Sequence, residues 1–146
     1  MRADNRRSRY GFAIFLDGCL VSWRSKLHAT VSLSTAESEY IAACEAAKEI
    51  QWLRSLLLFL GCAQTAPTVL HEDNQAAINM IENPVVSGRN KHVQLRCHYV
   101  RQLHRDRVIV LRYIGTADQV ADSLTKILPR PAHEAQRRSL LDGPTG

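Results

Sequence analysis

The hydrophobic period of this chain switches repeatedly between two and about 3.6, which restricts it to folds that mix strands with helices. Residues 10–16 and 19–24 are short apolar runs joined by Asp17-Gly18. Asp-Gly between such runs predicts a tight antiparallel hairpin, because both turn positions favour positive φ. Asp17 is thereby assigned to the turn. Over residues 34–60 the period lengthens, and Tyr40, Ala43, Ala47, Ile50, Leu53 and Leu57 form one stripe. That predicts one long helix or two abutting ones, closed by Gly61. A strand is expected over 68–72, then a short helix over 75–81 capped by Asn74 and ended by Pro84. Residues 91–105 read as a basic helix and 108–114 as a strand rich in β-branched residues. A last helix is expected from Thr116, with Gln119 at its capping-box position. This order predicts an α/β fold whose mixed sheet carries helices on both faces.

Composition narrows the partners. The 146 residues suffice for one domain with its own core, and the net charge of +5 makes polyanions plausible partners. Arg2, Arg6, Arg7 and Arg9 cluster early; Arg89, Lys91, Arg96, Arg101, Arg105 and Arg107 cluster late. Such clusters serve either as solvated faces or as phosphate contacts. The four cysteines are widely spaced without a C-x-x-C pair, which argues against a zinc site and a disulfide framework. The histidines of the basic helix also lack the paired spacing of a structural metal site. No run reaches the roughly 18 apolar residues of a membrane span, and no apolar segment follows the basic start as a secretory signal needs. An intracellular setting without membrane association is expected.

Three acids stand at element ends. Ser34-Thr35-Ala36-Glu37 fits a capping box, which gives Glu37 a local task and leaves Glu39 without one. Glu39 shares a helix face with Ala42, Ala43 and Ala46, so it needs a partner, a cation, or an escape to water. Asp73 falls at a strand-to-helix junction, where α/β sheets place their ligands, although a pure capping role would also explain it. Asp122 is expected about one turn inside the last helix, where an i,i+4 pair with Lys126 is the local alternative. Carboxylates so placed can converge on one sheet edge and hold divalent cations.

The runs Val21-Ser22-Trp23-Arg24-Ser25-Lys26 and Leu33-Ser34-Thr35-Ala36-Glu37-Ser38-Glu39-Tyr40-Ile41-Ala42 resemble the ribonuclease H domain of copia-type LTR retrotransposon Pol polyproteins. So do Asp73-Asn74-Gln75-Ala76-Ala77-Ile78, Asn83-Pro84, Lys91-His92-Val93, His98-Tyr99-Val100-Arg101 and Gln119-Val120-Ala121-Asp122-Ser123-Leu124-Thr125-Lys126. These blocks follow the family's order over residues 7–130. The resemblance implies a ribonuclease H-like fold over 1–130; residues 131–146 read as a C-terminal tail, a frayed helix or a disordered end. It implies endonucleolytic hydrolysis of the RNA strand of RNA–DNA hybrids during reverse transcription. Glu39, Asp73 and Asp122 match three of the family's four metal-binding acids, which implies a two-metal site for Mg2+ or Mn2+. Asn74 is the candidate for 2′-hydroxyl contacts; Arg24, Lys26, Lys91 and Arg101 are candidates for phosphate contacts.

Two departures shape the expectation. The family's opening, central strand, which bears the fourth acid, has no counterpart before the hairpin. The loop over 114–118 also lacks the histidine that cellular ribonucleases H often carry. The chain is therefore expected to be a truncated piece, weak or inactive alone. Implied partners are the hybrid duplex and the reverse transcriptase domain of the same polyprotein, in a cytoplasmic virus-like particle. The alternatives are a non-catalytic nucleic-acid-binding remnant and a connection domain.

Overall fold

The computed structural model describes residues 7–29, 34–83 and 91–143, with the backbone alone over 91–97. β1 (Arg9–Leu16) and β2 (Cys19–Leu27) form the expected antiparallel hairpin, Leu16 facing Cys19 and Arg9 facing Leu27. Asp17 and Gly18 take φ of 50° and 77°, the left-handed pair that matches strand twist in a two-residue turn.

α1 (Thr35–Phe59) is one continuous helix. Ser34 caps it, its Oγ accepting from the Glu37 N–H at 3.1 Å. At the far end Gly61 takes φ 79°. The Cys62 N–H then donates to the Leu57 carbonyl at 2.8 Å and the Gly61 N–H to Leu58 at 3.0 Å. Those two bonds are the Schellman pattern, and they satisfy carbonyls that helix termination leaves unpaired.

β3 (Thr68–Glu72) pairs in parallel with β4 (Ile109–Tyr113), Glu72 facing Tyr113. The crossover that a parallel pair requires is supplied by α2 (Gln75–Glu82) and α3 (Lys91–Arg105). Tyr40, Ala43, Cys44, Ala47 and Ile50 of α1 bury against Ala77 and Ile81 of α2, Val100 and Leu103 of α3, and Ile109 of β4. Alanines at the helix crossings let α1 lie close to its neighbours, so the chain's longest helix is the spine of the core.

The strands form two separate two-stranded sheets among the described residues, β1–β2 and β3–β4, the split expected of a mixed sheet that lacks its central strand. Other expectations are corrected. The expected α-helix from Thr116 does not form; Thr116–Asp118 and Val120–Leu124 are short 3₁₀ turns, and Gln119 joins them in an extended conformation, its side chain capping neither. Side-chain bonds compete with a regular helix here: Ser123 Oγ donates to the Val120 carbonyl at 2.9 Å, and Ser25 Oγ of β2 donates to the Leu124 carbonyl at 2.5 Å. The C-terminal region does not fray over its described part. α4 (Arg130–Asp142) begins with Pro131 in its first turn, buries Gln136 and packs on β2 and the second 3₁₀ turn. Cys44 is disulfide-bonded, which spacing along a sequence cannot reveal because bridging depends on tertiary proximity. Pro84, Arg2, Arg6 and Arg89 lie outside the described residues.

Candidate metal centre

Carboxylates from α1 and β3 meet at one end of the molecule. Oxygens of Glu39, Glu72 and Asp73 all lie within 4.8 Å of one another. Local structure explains each position. Glu39 sits just inside α1, between the buried Ser38 and Ala42, on the face that turns toward the strands. Asp73 follows the last residue of β3 and precedes the cap of α2. That cap is Asn74, whose Oδ1 accepts from the Ala77 N–H at 3.0 Å. Glu72 in turn accepts the Asn74 N–H at 3.0 Å. With both tasks filled by its neighbours, Asp73 is released from capping.

Asp122 joins this group electrostatically. It is 5% exposed on the second 3₁₀ turn, and Lys126 Nζ lies 2.9 Å from its carboxylate oxygens. The i,i+4 pair anticipated from the sequence therefore forms, but around a buried carboxylate rather than on an open surface.

The charges are under strain. Burial, then the carboxylates of Asp73 and Asp122, hold Glu39 above the usual glutamate range against the pull of Lys126. Glu72 is pushed up to about 8, chiefly by burial and then by Glu39, despite the backbone bond from Asn74. Burial also raises Asp122, against the opposing bond and charge of Lys126. Burial works against the Lys126 ammonium, but its bond to Asp122 and the charges of Asp122, Asp73 and Glu39 outweigh it and raise its pKa. Lys126 thus interacts with Glu39, Asp73 and Asp122.

Glu72 was missed by sequence reasoning, although a signal existed. In β3, Thr68 and Leu70 are half-buried while Val69 and His71 are exposed, so the period of two turns Glu72 inward with them.

Glu39, Glu72 and Asp122 line a cavity of about 470 Å3. Its floor is Glu39, Ala42, Ala43, Ala46 and Ile50 of α1; its sides are β1 and β3. The proposed nucleic-acid contacts are distributed differently. Arg24 pairs with Glu45 at 3.2 Å and lies 5.5 Å over the Phe12 ring. Arg101 donates to the Met80 carbonyl at 3.2 Å and lies 5.6 Å from the centre of the Tyr40 ring. Both guanidiniums thus hold elements together. Lys26 is exposed on β2. Asn74 stands beside the acids, with its Oδ1 engaged in the cap, and the Lys91 side chain lies outside the described residues.

An α/β frame carrying a partly buried acid cluster at the carboxyl end of a parallel strand defines the class of protein. Its relatives are more specific. Over 131 residues, 90% of the chain, it is 40% identical to the retrovirus-related Pol polyprotein from transposon TNT 1-94 of Nicotiana tabacum, covering 10% of that protein. It is 35% identical over 131 residues, 90% of the chain and 9% of the relative, to the corresponding polyprotein from transposon RE1 of Arabidopsis thaliana. For transposon RE2 of the same plant the identity is 34% over 137 residues, 94% of the chain and 9% of the relative. No protein-family model matches the chain. Its homologues are thus retrovirus-related Pol polyproteins of transposons, and it aligns with a Pol-derived region spanning about a tenth of their length. No helix among the described residues is long and apolar enough to cross a membrane.

Proposed function

We propose that the chain is a ribonuclease H region of a copia-type retrotransposon Pol polyprotein, with a ribonuclease H-like fold and metal-dependent hydrolysis of the RNA strand of RNA–DNA hybrids. One observation carries the reading: acids distant in sequence gather at the end of one cavity, in a chain that aligns with Pol polyproteins. The donor set fits Mg2+ or Mn2+. All its groups are carboxylates, the hard oxygen donors these ions prefer, and burial raises the pKa values of Glu39, Glu72 and Asp122, so a bound cation would offset the cost of ionising them there.

Glu39, Asp73 and Asp122 would hold the ions, with Glu72 as a fourth carboxylate beside them. Bound there, such ions supply Lewis-acid polarisation of the scissile phosphate and of the attacking water. The protein's own groups do the positioning. Asn74 fixes the β3–α2 junction, so Asp73 and Glu72 keep their direction. Lys126 holds Asp122 inward. Exposed Lys26 is available to a backbone phosphate, which positions a duplex without reading its sequence. The hybrid duplex, a reverse transcriptase region of the same polyprotein and a cytoplasmic virus-like particle belong to this proposal as partners and setting. Turnover by this chain alone is weak, because β1 and β3 bound the site with no strand tying them together among the described residues.

A labelled RNA–DNA hybrid and a cation titration test the reading together. Mg2+ or Mn2+ should raise the thermal stability of the chain, and RNA-strand cleavage, however slow, should disappear with both ions in Asp73→Asn. Absence of a cation response in the wild type, or an equal response in Asp73→Asn, overturns it.

A second reading is favoured by the ion pair between Lys126 and Asp122, which occupies a carboxylate that the ions need. In it the chain binds nucleic acid without cutting. Hybrid binding that weakens steeply with salt and is indifferent to Mg2+ would select it.

A further inference from the structure

The last turns of α1 carry an apolar face that the described residues leave open. Trp52 is 58% exposed, Leu56 38%, Phe59 86% and Leu60 62%. At about 100° per residue these four share one side of the helix. Nearer the start of α1 the same side is occupied, since Glu45 bonds Arg24 at 3.2 Å and Glu49 bonds Ser22 of β2 at 2.8 Å. Beyond Glu49 it turns apolar. No charged residue occurs from Ser55 to Leu70. Arg54, on the opposite side of the helix, donates to the Gln64 and Ala66 carbonyls at 2.6 and 2.9 Å and to Thr68 Oγ1 at 2.9 Å. It holds the following loop and brings no charge to this face.

The face has a definite relief. Trp52, Leu56 and Leu60 stand four residues apart, the spacing of the ridge that helices use in their commonest packing. In the next row Ser55 separates Gln51 from Phe59 and leaves a notch. The Ser55 hydroxyl donates to the Gln51 carbonyl at 2.9 Å, so the notch can be covered without stranding a polar group. A ridge beside such a notch is complementary to itself after a half-turn. With about 150–250 Å2 for each fully buried aromatic, the exposed parts of the four side chains amount to roughly 500 Å2.

We propose that this face pairs with the same face of a second copy of the chain, the two ridges interlocking at about −50° around a twofold axis near Leu56. Three features select that occupant. Pairing removes roughly 1,000 Å2 from water, the level a specific contact must clear. The chain carries a net charge of +5, so two copies repel over most of their surfaces, and the uncharged end of α1 lets them meet without like charges. A helix ridge is convex, so it gives a small molecule no cleft, and its lack of cations gives a polyanion no hold. The contact is small, so the dimer is weak and reversible. Glu39 lies seventeen residues before Leu56, about 26 Å along α1. An antiparallel crossing therefore leaves both acid ends outermost and open.

The inference rests on the end of α1 and not on the nuclease reading, and its test needs no cleavage. The full chain is sedimented over a concentration series reaching about 100 µM. A monomer–dimer equilibrium is expected. Leu56→Asp and Leu56→Lys each set like charges across the axis and should raise the dissociation constant at least roughly a hundred-fold. Mixed in equal amounts, the two variants should dimerise again, because opposite charges then face each other. Trp52→Ala, which removes bulk without adding charge, should weaken the dimer roughly ten-fold. Leu141→Asp, at an exposed leucine of α4, should leave it unchanged. A wild type that stays monomeric, Leu56 or Trp52 variants that dimerise as the wild type does, Leu56 variants that stay apart on mixing, or a dimer lost in Leu141→Asp overturns the proposal.

Discussion

Glu72 at the end of β3 points a carboxylate oxygen to within 4.8 Å of one on Glu39 in α1, and burial rather than pairing governs both. Two acids at that distance in a poorly solvated pocket cannot both ionise cheaply. The cluster therefore weakens the fold unless protons or cations neutralise it. Its stability should follow pH and divalent ions in a defined way.

The pH response follows from Glu72. Its pKa rises from the usual 4.5 to about 8, so the folded chain binds a proton more tightly than the unfolded one between those values. Stability then falls as pH rises through this window, by up to about 1.4 kcal/mol per pH unit for one such group. Glu39 and Asp122 shift in the same direction and add to the slope. Lys126 has a raised pKa, so its contribution is complete below the ordinary lysine range and is lost only in strong base, outside the window. Glu72→Gln should leave the melting temperature nearly unchanged at pH 5 and raise it at pH 8. Equal shifts at both pH values in a melting series would refute the buried-acid account.

The pair between Lys126 and Asp122 couples an exposed ammonium to a buried carboxylate, with side-chain exposures of 44% and 7%. Solvent screening discounts the lysine's share, while Asp122 keeps the cost of an unpartnered buried charge. Lys126→Ala should destabilise the chain by about 1 kcal/mol without divalent ions. Mg2+ should restore more stability to this variant than to the wild type, since Asp122 is then free to ligate. Thermal melts with and without Mg2+ measure the difference, and identical Mg2+ responses would separate Lys126 from the centre.

Much of this architecture was legible in the sequence for local reasons. The Asp17-Gly18 hairpin, the Ser34 cap of α1, the Asn74 cap of α2 and the extent of α3 all depend on neighbouring residues and fall where patterning puts them. What depended on distant residues was not. The 3₁₀ turns around Asp122 are tied to β2 through Ser25, far away in the chain, so helical spacing over 116–126 misled. The Cys44 disulfide and the packing of α4 are likewise tertiary outcomes. Beside the site, the Ser34 side chain accepts the Glu37 N–H as the capping pattern requires. Glu72 lay hidden because attention to the junction fell on Asp73. The charges of Arg24 and Arg101 are visible in a sequence, whereas their partners Glu45 and Met80 are not.

Gly11 connects the hairpin to the acid end. A Cβ there would meet the Arg24 carbonyl at 2.6 Å and Thr125 Cγ2 at 2.7 Å, closer than real Cβ atoms approach. The Arg24 contact is backbone and cannot swing away, so the strain passes to the segment after Leu124. Gly11→Val should therefore cost about 1–3 kcal/mol through overpacking and shift the turn that carries Asp122. If the site is as described, divalent-ion affinity should fall with stability in this variant, although Gly11 has no ligand atom of its own. A second substitution controls for general loss of fold: Gly61→Ala strains the left-handed C-terminus of α1, at the end of the helix away from Glu39, and costs about 1 kcal/mol. The two variants are compared by ion titration at temperatures where each is fully folded. Weakened binding in Gly11→Val alone supports the link through β1; equal binding in both shows that the position of Asp122 does not depend on that close approach.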